Sequence, residues 1–273
     1  MYQHLYSEFF KKHPDLKHFA AHSHHFWPDV TREAMLEYWD DAALHIDKKW
    51  NVILGEKIPD LQNLIAQNLK FSRPQDMAFA SSTHELLVRL LSCLDFNKRP
   101  KILTTDSEFY SFERQIRRLE EDSLVDVHRV KTQDLQNFET ELLNQLQSQD
   151  WDLVFISHVF FNSGVATRQL EKLTSQLAPK TIFVLDGYHS FFALPVELSH
   201  LGEKIYFMAG GYKYAQSGEG CCFLTLPKNC KLRPRITGWF ADMAGLENYQ
   251  SGVNYSEDGY RFAGATMDYS AMY

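Results

Sequence analysis

The chain has 273 residues, with 28 lysines and arginines against 35 aspartates and glutamates and a formal charge of −7. At 44% hydrophobic and 23% charged residues it can bury a core, which excludes a disordered chain, and its acidic balance argues against a broad nucleic-acid surface. No apolar run approaches the ~20 residues that cross a bilayer, and the opening MYQHLYSEFFKKHPDLKHF is too polar for a signal-peptide core; the expectation is a cytoplasmic protein without a membrane partner.

In chain order, the segment Pro28–Asp47 predicts a helix with Val30, Ala34, Tyr38 and Ala42 near one face. A second helix carries Ile58, Leu61, Leu64, Ile65 and Leu69 as an apolar stripe. Short apolar runs then alternate with helical stretches. The runs are Met77–Ala80, Lys101–Thr105, Val125–Val130, Asp152–Ser157, Thr181–Gly187, Ile205–Gly210 and Cys221–Leu226. The helical stretches are Glu85–Leu94, Phe112–Glu121, Leu135–Gln147 and Gln169–Leu177. Such alternation predicts an α/β fold with a mostly parallel seven-stranded sheet and helices on both faces, a three-layer α/β/α arrangement. From Ile236 to Tyr273 the chain is rich in Gly, Tyr and Met and shows no clear period. The four cysteines (Cys93, Cys221, Cys222 and Cys230) form no CxxC and read as buried thiols.

Ligands in parallel α/β sheets sit at the carboxyl ends of the strands. The run Thr181–Gly187 holds Asp186 at its end, followed by Tyr188 and His189. Beyond the next run, Gly210-Gly-Tyr-Lys-Tyr places Lys213 in a loop. A strand-end carboxylate with a lysine after the next strand is the arrangement that pyridoxal phosphate chemistry requires. The lysine amine bonds the cofactor aldehyde and the carboxylate keeps the pyridine nitrogen protonated.

The stretch Leu185-Asp-Gly-Tyr-His-Ser, then Ala209-Gly-Gly-Tyr-Lys-Tyr-Ala-Gln-Ser-Gly-Glu-Gly, resembles the cofactor region of the class V aminotransferase superfamily. Within it the chain is similar to the kynureninase-like branch, which carries D-x-x-H and then S/G-Y-K-Y. Gly238-Trp239-Phe240 and Arg261-Phe262-x-Gly-x-Thr266 follow in the order of that branch. The resemblance implies a fold-type-I large domain, pyridoxal 5'-phosphate as cofactor, an amino-acid substrate and a homodimer. It implies that Asp186 pairs the pyridine nitrogen, His189 lies near the ring, Tyr212 reaches the phosphate and Lys213 is the catalytic Schiff-base lysine. Trp239 and Thr266 would reach a cofactor bound mainly by the neighbouring chain.

Other positions join this set. Ser82 with Glu85 three residues on is a capping-box signature opening a helix after the first run. A helix N-terminus also suits a phosphate, and the family holds its cofactor phosphate there, so Ser82 and Thr83 are binding candidates. Phe109, after the run Lys101–Thr105, matches the residue that stacks on the ring in kynureninases, with Tyr110 second. Ser157–Gly164 departs from the common pattern at Phe160, which leaves Ser163 a weak candidate. Ala21-His-Ser-His-His25 could form part of a zinc site, but no carboxylate partner stands at ligand spacing, and no metal is expected. By resemblance this segment is an arm leading to the active site, with Ser23 facing substrate.

The expected organisation is an N-terminal arm and helix over residues 1–50, a large cofactor-binding domain over 51–235, and an interface segment with the truncated start of a small domain over 236–273. Relatives carry their substrate-carboxylate arginine in that small domain. Two readings follow: a pyridoxal-phosphate enzyme of aminotransferase or kynureninase type, or a non-catalytic, crippled cofactor-binding protein. In either, the apolar residues of 259–273 are expected to be exposed.

Overall fold

A computed structural model describes residues 2–135, 137–201, 204–246 and 252–273; parts of the readings above at residue 136 and over 247–251 lie outside the described residues. Before the sheet come α1 (Ser7–Lys12), α2 (Asp29–His45), α3 (Lys49–Val52) and α4 (Ile58–Leu69). Strands and helices then alternate as β1 (Met77–Ala80), α5 (Thr83–Leu91), β2 (Lys101–Thr105), α6 (Tyr110–Glu121), β3 (Asp126–Val130), α7 (Phe138–Ser148), β4 (Leu153–Ser157), α8 (Leu170–Ser175) and β5 (Ile182–Asp186). Next come β6 (Ile205–Gly210) and β7 (Cys222–Thr225). All seven predicted runs form strands.

The strand order is β1-β7-β6-β5-β4-β2-β3. The five strands from β6 to β3 are parallel, while β7 runs antiparallel to both β6 and β1. Every residue of β4 and β6 is buried, the mark of strands covered on both faces. Successive side chains alternate between two apolar clusters. Val154, Ile156, Phe183, Leu185 and Phe207 pack with Ile65, Leu142 and Leu173 from α4, α7 and α8. Leu153, Phe155, Val184 and Met208 pack with Leu86 and Leu90 of α5 and Phe112 and Ile116 of α6. This is the three-layer α/β/α arrangement.

Three readings need correction. On α4 the buried line is Ile58, Gln62, Ile65, Ala66 and Leu69, whereas Leu64 is 64% exposed; Gln62 takes a core place because its amide donates to the Met77 carbonyl at 3.1 Å. On α2 only Thr31 is buried and Val30 faces out. The closing residues are not an exposed apolar face: Tyr269, Ala271 and Met272 are buried. Tyr269 meets the Trp50 ring edge-on, Tyr273 meets Tyr38, and the Tyr273 hydroxyl donates to Asp41 at 3.0 Å. Those aromatics find partners on α2 and α3 of the same chain.

Candidate active site

The strand register sets Asp186 between Ser157 of β4 and Met208 of β6, at the carboxyl end of the sheet. Gly187 follows because the chain turns against the Phe207 ring, where a Cβ would stand 2.0 Å from the ring. The turn brings the Tyr188 N–H to Asp186 Oδ1 at 2.9 Å and fixes the carboxyl group. Burial pushes the Asp186 pKa up to about 6, against the Tyr188 hydrogen bond and the Lys213 charge.

After β6, Gly211 lets the chain fold back on itself. Its N–H donates to the Cys221 carbonyl at 2.8 Å, and a Cβ there would lie 2.0 Å from Ser217 Oγ. Lys213, held on this loop, is 9% exposed. Burial lowers its pKa and Asp186 opposes the shift. The amine lies against His189 Nε2 rather than pairing with Asp186. It sits 5.8 Å from the centre of the Phe109 ring and 5.6 Å from that of Tyr188. Burial, then the Lys213 charge, lowers the His189 pKa to about 4, so its imidazole is neutral at pH 7.

These groups face one cavity of about 430 Å³ lined by Thr83, Phe109, Asp186, His189, Tyr212 and Lys213 among others. A larger groove of about 880 Å³ follows the outer side of α6 and holds neither Asp186 nor Lys213. Ser82 caps α5, accepting the Glu85 N–H at 3.2 Å. Only half of the capping box forms, because the Glu85 carboxylate turns to Arg89 at 2.7 Å. Thr83 and His84, in the first turn of α5, open on the cavity, while Ser82 does not line it. Phe109 precedes α6 and stands 6.2 Å from the His189 ring.

Trp239 and Thr266 do not line this cavity. Trp239 is 46% exposed and stacks on Phe240 at 4.0 Å; Thr266 is exposed. Ser163 is exposed and accepts the Val165 N–H at 3.3 Å. Ser23 does line the cavity. His24 Nδ1 meets the Tyr212 hydroxyl at 3.0 Å, so Tyr212 is tied to the N-terminal arm. Burial pushes the Cys221 thiol up to about 12 and Cys222 to about 11, which keeps both protonated.

Sequence reasoning missed Glu108, Tyr188 and His24. Glu108 adjoins a residue already singled out, but an acid after a strand usually faces water, whereas this one is 4% exposed.

Does this cavity fit pyridoxal phosphate? A half-buried strand-end carboxyl with one N–H donor, and no ion pair among the described residues, suits a protonated ring nitrogen. A lysine of lowered pKa suits an aldehyde, and the first turn of a nine-residue helix suits a phosphate. The residues fit.

The sequence matches the family described as aminotransferase class-V over residues 28–267. It is 30% identical to a kynureninase of Geobacillus thermodenitrificans (strain NG80-2) over 176 residues, covering 61% of this chain and 41% of that protein. The chain thus matches under half the length of that curated relative. A solved structure of a C-DES mutant, with glycine covalently linked to its PLP cofactor, superposes with a TM-score of 0.82 at 20% identity. That match covers 96% of this chain and 70% of the other. The apo cysteine desulfurase of Thermococcus onnurineus NA1 superposes at 0.74 and 18% identity, covering 93% and 64%. Fold and family match therefore define the fold-type-I, pyridoxal-phosphate-dependent class. Within that class, the chain belongs to the aminotransferase class-V family.

Proposed function

We propose that this chain binds pyridoxal phosphate through Lys213 and acts on an amino acid. The observation that carries the reading is the meeting of a strand-end carboxyl, Asp186, and a buried lysine of lowered pKa, Lys213, in one cavity beside an aromatic ring. Asp186 would hold the ring nitrogen, the α5 N-terminus with Thr83 the phosphate, Phe109 and His189 the ring, and Lys213 the aldehyde carbon. When bound, the cofactor supplies an electron sink for carbanions.

The residues set the rest. Burial holds the Lys213 pKa below that of a free lysine, which favours its use as a nucleophile and then as a proton carrier. Neutral His189 accepts a hydrogen bond from the lysine amine and aims it. Above pH 6 Asp186 is ionised and keeps the opposing ring nitrogen protonated. The match to a kynureninase supports hydrolytic cleavage of a kynurenine-like substrate, and the family description supports amino transfer. The exposure of Trp239 and Thr266 supports a shared site in a homodimer. A monomer by light scattering with its cofactor fully bound would exclude that sharing.

The test adds pyridoxal phosphate to purified protein, reduces with borohydride and maps the label. It should fall on the peptide containing Tyr212-Lys213-Tyr214; label on another lysine overturns the assignment. Single-turnover spectra with L-kynurenine, alanine and cysteine then separate the reactions. Labelling of Lys213 with no spectral response to any amino acid would favour cofactor binding without turnover.

A further inference from the structure

A second buried carboxyl stands behind the cavity. Glu108 is 4% exposed, and no ion pair among the described residues reaches it. The Thr105 hydroxyl, at the end of β2, meets Oε1 at 2.6 Å. The Ser157 hydroxyl, at the end of β4, meets Oε2 at 2.6 Å. β2 and β4 pair only at Ile102–Leu153 and Leu103–Val154, so beyond Leu103 the strands part. Glu108 bridges them where the ladder has stopped. The next residue is Phe109, at the cavity. Its neighbours in the turn are also tied: Asp106 Oδ1 accepts the Thr132 N–H at 2.9 Å, and Asn162 donates to Ser107 Oγ at 3.0 Å.

We propose that Glu108 is a positioning residue whose carboxyl, gripped by hydroxyls from two strand ends, fixes the turn that carries Phe109 to the cavity. This rests on the reading that the cavity takes pyridoxal phosphate. Glu108 does its work as a neutral acid, in which one carboxyl oxygen accepts from a hydroxyl while the other carries the proton and donates to the second hydroxyl. Burial, helped by the Asp186 charge on β5, raises its pKa to about 8 against the Ser157 and Thr105 hydrogen bonds and the Ser157 N–H. Ser157 stands between the two acids, bonded to Glu108 and in register with Asp186, and a neutral Glu108 leaves Asp186 as the one carboxylate, since neighbouring like charges resist joint ionisation.

The test compares Glu108→Gln, which keeps a neutral acceptor and donor, with Glu108→Ala, which takes the carboxyl partner from both hydroxyls and leaves Thr105 only the Ser107 N–H. Its first readout is the melting temperature of the cofactor-free proteins against pH. A pKa raised on folding costs stability as pH rises from the unfolded value to the folded one. Glu108→Gln should therefore gain on wild type steadily from pH 5 to pH 8 and hold the gap above. Asp186 titrates in both proteins and largely cancels. The second readout is pyridoxal phosphate affinity at pH 7: Glu108→Ala should lose about tenfold, as expected for a charge-free clamp of two hydrogen bonds, and Glu108→Gln should stay near wild type. A flat gap between pH 5 and pH 8 overturns the neutral clamp, and equal losses of affinity in both variants overturn the positioning role. If wild type takes no pyridoxal phosphate, the functional reading fails, while the pH gap still decides the state of Glu108.

Discussion

The Tyr212 hydroxyl and His24 Nδ1 meet at 3.0 Å across 188 positions of sequence. They are one of several ties between the N-terminal arm and the Lys213 loop. The Tyr6 hydroxyl donates to Gln216 Oε1 at 2.6 Å, and the Thr31 hydroxyl donates to the Gln216 carbonyl at 2.9 Å. Gln216 itself has a φ of 60°, in the left-handed region. The arm therefore braces the loop that carries the lysine.

Tyr6→Phe and Gln216→Ala should each lose roughly 1 kcal/mol, the net worth of one hydrogen bond. The double variant should cost little more than Gln216→Ala alone, because that variant already removes the Tyr6 contact along with the longer one to His25 at 3.4 Å. Urea unfolding of the four proteins gives the coupling; fully additive losses would mean that arm and loop are stabilised separately.

Lys213→Ala should still take up pyridoxal phosphate, because Asp186, Phe109 and the α5 N-terminus remain. The complex should lack the covalent link, so dialysis should remove the cofactor and borohydride should leave no label. Retained label after borohydride would place the attachment elsewhere.

Asp186→Asn should have opposite effects on the free and loaded protein. The folded pKa is raised to about 6 from an ordinary 3.8. In the cofactor-free protein the carboxyl therefore costs stability as pH rises between those values, and the variant should gain roughly 2–3 kcal/mol, complete above pH 6. Wild-type affinity for pyridoxal phosphate should fall as pH drops through about 6, and the variant should lose roughly 100-fold at pH 7. Calorimetric melting and equilibrium dialysis across pH 4.5–8 check both arms; a variant that binds like wild type at pH 7 removes Asp186 from the site.

Arg89 is a structural cation on α5. It is 9% exposed, reaches Glu85 at 2.7 Å and donates to the Phe262 carbonyl at 3.2 Å. Gly264 passes so close that a Cβ there would stand 2.1 Å from the guanidinium. Arg89→Ala should cost about 2–4 kcal/mol by orphaning that carbonyl and opening a gap, read as a lower urea midpoint. A loss below the error of the fit would show that water replaces the arginine.

Much of the fold was legible because each strand is a short apolar run between turn residues, and the seven runs survive as strands. Helix starts were less legible. The predicted helix at Phe112 begins at Tyr110, since Phe109 accepts the first turn's hydrogen bonds through its carbonyl. Asp186, His189, Tyr212 and Lys213 were legible through their motif, and the cavity brings them together. Glu108 was not, because its partner Ser157 comes from β4, which reaches it only once the sheet has formed. The closing aromatics misled for a similar reason: the rings of Trp50 and Tyr38 that cover them lie far back in the chain.

The position of β7 has a consequence for biosynthesis. β1 sits at the sheet margin with β7 as its neighbour, Met77 opposite Thr225. A nascent chain emerging from the ribosome thus carries β1 and the attached α5 without their strand partner until nearly all of the sheet has been made. Over that interval the unsatisfied edge of β1 can pair with other chains. Pairing across so long a loop is also slow. The α5 N-terminus, one wall of the cavity, reaches its place only when this last seam closes. Cofactor uptake would then report the completion of folding, and pyridoxal phosphate supplied during refolding would draw the equilibrium toward the closed sheet by mass action.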